Sequence, residues 1–269
     1  MFQTDSTTET FESRTDWYRV GLTLGALLLL YYLVPLASLL LSQSPGAVVE
    51  RLGDGYVIAA TRNSLVTATA STLLSATFGL PLAYWLARTN FGGKNAILTL
   101  VLLPLVFPPI VSGMLLLQVF GPAGLGGLLS VEVTRSLVGI VLAQTFVASP
   151  FFVVTAKAAF ESVDRRLEYA SRSLGKDGET TFRKVTLPLA KPGIVAGLTL
   201  TFARAMGEFG ATLMLAYYPR TLPVQIWQSF LTDGLDAAFP VAVVLVGVAV
   251  VSLLVINALG RNPWRGESE

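Results

Sequence analysis

The sequence contains no cysteine and no histidine. These absences remove thiolate nucleophiles, disulfides, imidazole general bases and the usual soft metal ligands, so neither a catalytic residue nor a metal site is expected. Charged residues are also scarce, at 13% of the chain, whereas soluble domains carry about 25%. Basic and acidic residues nearly balance, at 19 against 17, which gives no indication of a nucleic-acid partner. The composition indicates a membrane protein and disfavours an enzyme.

Six apolar segments are each close to the ~20 residues that a helix needs to cross a lipid bilayer. They lie at residues 20–41, 64–87, 96–120, 136–156, 194–216 and 237–259. The sequence therefore predicts an all-α membrane protein with six transmembrane helices in one domain, residues 17–260. Residues 1–16 are polar and lack the basic region and cleavage site of a secretory signal, so they are predicted to form a disordered tail, with a second tail at 261–269.

Lysine and arginine are unequally distributed between the two sides of this topology. If the N-terminus is cytoplasmic, fourteen of the 19 basic residues lie in cytoplasmic segments and Arg204 lies inside a span. The four external ones are Arg51, Arg62, Arg135 and Arg220. Because basic residues accumulate on the cytoplasmic side, both termini and the loop 157–193 are predicted to be cytoplasmic.

This cytoplasmic loop, residues 157–193, is the longest charged segment between two spans. Asp164 is a suitable N-cap for a short helix, and Gly175 can end that helix in the left-handed conformation. Leu167, Ala170 and Leu174 recur at helical spacing, so the helix is expected to present one apolar face. A second helical run at 179–185 is predicted to end at Leu187 and Pro188, since proline disfavours helix in the residue before it.

The spacing in this loop resembles the EAA loop of inner-membrane permeases of ABC importers. Gly175 is followed by nine residues and then by Val185-x-Leu187-Pro188, as in that family. The chain has Tyr169-Ala170-Ser171 where the family has Glu-Ala-Ala, with Glu168 one position earlier. The resemblance implies that the loop docks on an ATPase subunit and couples to it through Leu167, Glu168, Tyr169, Ala170, Leu174, Gly175, Val185, Leu187 and Pro188. Composition alone would favour an ordinary basic loop.

The third span, LTLVLLPLVFPPIVSGMLLL, contains Pro104, Pro108 and Pro109. Proline removes backbone donors, and such breaks persist inside membranes where neighbouring helices or a water-lined cavity satisfy the freed carbonyls. The prolines therefore indicate either a helix that lines a transport pathway or a kinked helix that only packs. The string LPLVFPPIVSG is similar to the corresponding stretch of molybdate, tungstate and sulfate permeases.

The fifth span contains two charged residues, Arg204 and Glu208, at an estimated depth of roughly 15 and 21 Å in a core about 30 Å thick. Charges at that depth are costly and are functional candidates by default. A polar stripe of Thr201, Arg204, Glu208 and Thr212 is expected to face the translocation pathway, together with the three prolines. The alternative is that the pair of Arg204 and Glu208 only holds helices together. The segment FARAMGEFGATLMLAYYPRTLPVQIW resembles oxyanion permeases, especially those for molybdate and tungstate.

The resemblance implies a homodimer with two copies of a separate ATPase, importing molybdate or tungstate from an external binding protein that docks on the outer loops. A simple aromatic anchor is the alternative role for Trp227 in the outer loop 217–236. Sulfate, thiosulfate or another anion is the alternative substrate.

The residues themselves contain no G-x-x-x-x-G-K-[ST] phosphate loop, so ATP and Mg²⁺ are expected on the partner and no cofactor on this chain. An ion-coupled secondary carrier would need no ATPase and remains open as a different class of function. A membrane enzyme lacks a nucleophile and base cluster.

Overall fold

The computed structural model describes residues 9–260, and all regular elements in that range are helices. In chain order they are α1 (Glu9–Leu41), α2 (Pro45–Gly53), α3 (Gly55–Arg88), α4 (Lys94–Val106), α5 (Pro109–Phe120), α6 (Leu125–Leu128), α7 (Leu137–Glu161), α8 (Arg165–Ser173), α9 (Gly178–Thr181), a π-helical turn (Phe182–Thr186), α10 (Leu187–Met206), α11 (Gly210–Leu215), α12 (Leu222–Asp233) and α13 (Leu235–Gly260).

Within residues 9–260, six helices are long and apolar enough to cross a membrane, which confirms the predicted all-α class and the number of spans. They lie at Trp17–Leu41, Gly55–Arg88, Pro109–Leu128, Leu137–Glu161, Gly178–Met206 and Leu235–Ala258. Several extend beyond the predicted apolar segments, because hydrogen bonding continues once a helix is nucleated. Asp54, for example, accepts the N–H of Tyr56 at 2.8 Å and starts α3 well before residue 64.

The chain divides into two units, one ending at Val49 and the other beginning at Glu50. The first unit contains α1, which begins at Glu9, inside the segment predicted to be a disordered tail. Acidic residues at a helix N-terminus are favourable, and adding turns to an existing helix costs little, so the polar sequence of residues 9–16 is compatible with helix. Residues 1–8 and the predicted tail 261–269 lie outside the described residues.

In the second unit, α3, α7 and α10 pack against one another around a shared core. Phe152 and Phe160 of α7 are fully buried in it, beside Ala83 and Leu86 of α3. The approach of α3 to α7 is close because a Cβ on Gly79 would lie only 2.8 Å from Cδ1 of Phe152. This packing fixes the C-terminal ends of α3 and α7, next to the loop 157–193.

The third and fifth spans are both interrupted. α4 ends at Val106 and α5 begins at Pro109, which confirms the predicted break, whereas Pro104 lies inside α4. α10 ends at Met206 and α11 begins at Gly210, so the prediction of an uninterrupted fifth span over 194–216 was wrong.

Three of the connections between the predicted spans also contain helices: α2 lies in 42–63, α6 lies in 121–135 and α12 lies in 217–236. Composition did not distinguish these helices, which are too short to cross a bilayer, from irregular loops.

Candidate functional site

The short helix α8 forms as its capping residues predict. Oδ1 of Asp164 accepts the N–H of Arg166 at 2.9 Å, and Gly175 ends the segment at φ 78°. Three of its apolar side chains are largely exposed, Leu167 at 48%, Tyr169 at 60% and Leu174 at 80%. Exposed apolar side chains on an otherwise charged helix are suited to contact another protein.

The second half of the loop differs from its prediction. Helix α9 passes into a π-helical turn, and that turn continues directly into α10, so the predicted helix end at Leu187 and Pro188 was wrong. The N–H of Leu187 bonds to the carbonyl of Phe182, five residues back. Pro188 lies in the first turn of α10, where a missing N–H costs nothing. The π turn therefore removes the conflict between proline and a continuing helix.

Asp177 begins α9 by accepting the N–H of Thr180 at 2.9 Å. Hydrogen bonds from the side chain and backbone of Thr180 lower the pKa of the Asp177 carboxyl below its ordinary value. Both short helices of the loop thus begin at an aspartate cap.

Glu168 is only 7% exposed, unlike its neighbours on α8. Its Oε1 lies 2.6 Å from Nη2 and 3.0 Å from Nε of Arg88, at the end of α3. The same oxygen accepts a hydrogen bond from the hydroxyl of Thr186, in the π turn, at 2.7 Å. One carboxylate oxygen therefore joins three elements that are distant in sequence.

Further hydrogen bonds hold α8 against the same end of α3. Nη2 of Arg165 donates to the carbonyls of Ala87 at 3.1 Å and Arg88 at 3.3 Å, and Nη2 of Arg88 donates to the carbonyl of Val163 at 3.3 Å. The sequence alone did not indicate a partner for Glu168. The available signal was an acid within a basic loop, on a different face from Leu167 and Leu174.

The two charged residues of the fifth span form an ion pair. Nη1 of Arg204 lies 2.6 Å from Oε2 of Glu208, and Oε1 of Glu208 accepts the N–H of Ala211 at 2.8 Å. Glu208 therefore bridges the interruption, because it binds a cation on α10 and a backbone donor in the first turn of α11. Its side chain is 1% exposed, against 27% for Arg204.

The interruptions of the third and fifth spans lie against each other. A Cβ on Gly210 would be 2.9 Å from Cβ of Pro109, and one on Gly113 would be 2.7 Å from the carbonyl oxygen of Ala211. Thr201 and Thr212 are fully buried within the chain, whereas Pro104 is half-buried and Pro108 and Pro109 are exposed. Among the four predicted stripe residues, Arg204 alone is partly exposed.

Residues 79–262 match the family described as "Binding-protein-dependent transport system inner membrane component". The chain belongs to this family. Its members are transport subunits, so the chain is a multi-pass membrane transport subunit and not an enzyme.

Two relatives in this transport family match nearly the whole chain. A probable molybdenum ABC transporter permease protein of Haloferax volcanii is 64% identical over 248 residues, 92% of each chain. A molybdate/tungstate transport system permease protein of Thermococcus kodakarensis is 41% identical over 242 residues, 89% of this chain and 94% of the relative.

Two solved structures share the fold of this transport subunit. One is a bacterial ABC transporter involved in the import of the acidic polysaccharide alginate, with TM-score 0.71, 18% identity, and coverage of 95% of this chain and 99% of the other. The second is the bacterial alginate ABC transporter in complex with its alginate pentasaccharide-bound periplasmic protein, with TM-score 0.71, 17% identity, and coverage of 93% and 96%.

Proposed function

We propose that this chain is the permease subunit of an ABC importer for molybdate or tungstate. The observation that supports the substrate best is the 64% identity, over 92% of both chains, to a probable molybdenum permease. The 41% identical relative is named for molybdate and tungstate, two tetrahedral oxyanions of the same charge. Sulfate and thiosulfate remain the competing substrates, to be distinguished by uptake.

The assembly that we propose is a homodimer of this chain with two copies of an ABC ATPase and one external binding protein. ATP and Mg²⁺ bind on the ATPase, and the external loops, including α12, receive the binding protein. The distribution of basic residues supports cytoplasmic termini and a cytoplasmic position for the loop 157–193, where an ATPase is accessible. The domain would then be one transmembrane unit over residues 17–260.

The ATPase would dock on the exposed side chains of α8 and of its C-cap, which are Leu167, Tyr169, Ala170 and Leu174. Burial of these side chains would favour association, at about 25 cal/mol per Å² of apolar surface removed from water. Gly175, Val185, Leu187 and Pro188 would act by shaping the loop, because they determine the turn after α8 and the passage into α10. Glu168 is buried against α3 and the π turn.

For the translocation pathway we propose Arg204 as the residue that meets the anion. Its guanidinium is partly exposed, and a planar cation of this kind binds oxyanions through paired N–H groups. Thr201, Glu208 and Thr212 would support the pathway wall from within the chain. Pro104, Pro108 and Pro109 would give the adjoining span the break against which α11 packs.

The test is transport by the purified complex in liposomes. The binding protein and radiolabelled molybdate are added on one side of the membrane, and the ATPase subunits face the other side. Uptake is expected to require ATP and to be competed by molybdate and tungstate more strongly than by sulfate. Stronger competition by sulfate would reassign the substrate. Uptake by the chain alone, driven by an ion gradient without ATPase, would instead support a secondary carrier.

A further inference from the structure

We propose that Glu168 is a positioning residue that transmits movement of α8 to the membrane helices α3 and α10. This inference rests on the proposed function, because it assumes that an ATPase moves α8. It assigns to the buried carboxylate a role different from docking. The assignment follows from where the carboxylate lies, which elements it joins and what those elements contact.

The carboxylate lies on the side of α8 that packs against α3 and the π turn. Glu168 is 7% exposed, whereas its neighbours Leu167 and Tyr169 are 48% and 60% exposed. A partner that covers Leu167 and Tyr169 would therefore leave Glu168 within the permease. Docking is thus assigned to the exposed side chains of α8, and transmission to its buried side chain, Glu168.

Oε1 of Glu168 accepts hydrogen bonds from two separate elements. Arg88 donates from Nε at 3.0 Å and from Nη2 at 2.6 Å, and Thr186 donates from Oγ1 at 2.7 Å. Such charge-assisted bonds are stronger than neutral ones, and burial strengthens them further. Displacement of α8 would stretch all three bonds unless α3 and the π turn moved with it.

The two receiving elements lead directly into the membrane. Arg88 is the last residue of α3, whose Gly79 packs closely on Phe152 of α7. Thr186 is the last residue of the π turn, and α10 begins at the next position with the helix that contains Arg204. α8 is connected to α10 through the chain, whereas hydrogen bonds of Glu168 and Arg165 connect it to the end of α3, 80 positions before Glu168.

The experiment compares Glu168→Gln with Glu161→Gln in the complete complex with ATPase and binding protein. Glu161 is a matched control because it also forms an ion pair with a basic residue, Lys157, at 2.7 Å. Unlike Glu168, it pairs within a single helix, four residues away, and its side chain is 41% exposed. The measured quantity is molybdate imported per ATP hydrolysed, with co-purification of the ATPase as a measure of docking.

Glu168→Gln is expected to lower the transport-to-hydrolysis ratio by about tenfold, within the range of coupling factors between sites, while the ATPase still co-purifies. Glu161→Gln should keep the wild-type ratio. A wild-type ratio in Glu168→Gln would overturn the proposal. Loss of ATPase co-purification together with transport would also overturn it, because Glu168 would then serve docking or folding alone.

Thr186→Val provides a second test if Glu168→Gln does not reach the membrane. This variant preserves the ion pair with Arg88 and removes only the bond toward α10, with nearly unchanged side-chain shape. The transport-to-hydrolysis ratio is expected to fall, but by less than in Glu168→Gln. An unchanged ratio would overturn transmission to α10. Failure of the proposed function itself is distinct, because the wild-type complex would then show no molybdate uptake.

Discussion

The intramembrane ion pair gives the sharpest stability prediction, and Arg204→Met is the informative change. It leaves the Glu208 carboxylate 1% exposed, with the N–H of Ala211 as its remaining partner among the described residues. Breaking a buried pair from one side costs about 3–5 kcal/mol, because the other charge stays in a low-dielectric interior. Glu208→Gln should cost less, since the amide oxygen can still accept from Ala211 and Arg204 is 27% exposed.

The double variant Arg204→Met with Glu208→Gln removes both charges and keeps an acceptor for α11, so its stability is expected to lie close to wild type. The assay is unfolding of the purified chain in mixed micelles as denaturing detergent is added, followed by tryptophan fluorescence. The reasoning is refuted if Arg204→Met lies within about 0.5 kcal/mol of wild type, the range of ordinary surface changes. It is equally refuted if the double variant is as unstable as Arg204→Met. Normal molybdate uptake by the folded double variant would leave the pair a purely structural role.

Three further predictions concern the loop, the helix breaks and the topology. Gly175→Val should cost about 1–2 kcal/mol of backbone strain at φ 78° and reduce ATPase co-purification, whereas Gly175→Asn should be tolerated; equal co-purification in both would contradict this. Gly113→Leu should lower stability by about 1–3 kcal/mol or more, because its Cβ would lie 2.7 Å from the carbonyl oxygen of Ala211, whereas Gly247→Leu, with nothing within 4 Å, should not. Single cysteines at Thr7 and Gly266, in a chain with no others, should resist an impermeant thiol reagent in intact cells, and labelling of both would reverse the topology.

Local signals in the sequence predicted the features that depend on a few neighbouring residues. Asp164 and Gly175 delimit α8 as expected, because an N-cap needs only a side-chain oxygen near two backbone donors and a left-handed end needs only a residue without Cβ. The break before Pro109 also follows from local chemistry. The pair of Arg204 and Glu208 was expected from their spacing of one helical turn.

Features that depend on distant residues were not predicted. The same local rule that correctly broke the third span wrongly ended a helix before Pro188, because a π turn shifts the hydrogen bonding there. The interruption after Met206 has no proline; it is stabilised by Glu208, whose carboxylate replaces a backbone acceptor for Ala211. In both cases the local sequence is compatible with more than one backbone conformation, and tertiary packing determines which one forms.

Glu168 illustrates why the functional assignment of a residue requires its burial as well as its position. The family resemblance groups it with Leu167 and Tyr169 as part of one ATPase-coupling surface, yet Glu168 is buried whereas those two neighbours are exposed. A glutamate would be desolvated there at a cost of several kcal/mol unless it were paired, and Arg88 and Thr186 supply that pairing. The contacts with Arg88 and Thr186 offset the cost of burying Glu168. Because these partners belong to elements that enter the membrane, the same contacts connect α8 to α3 and α10. A docking residue would need no such partners, which is why the buried carboxylate favours transmission over docking.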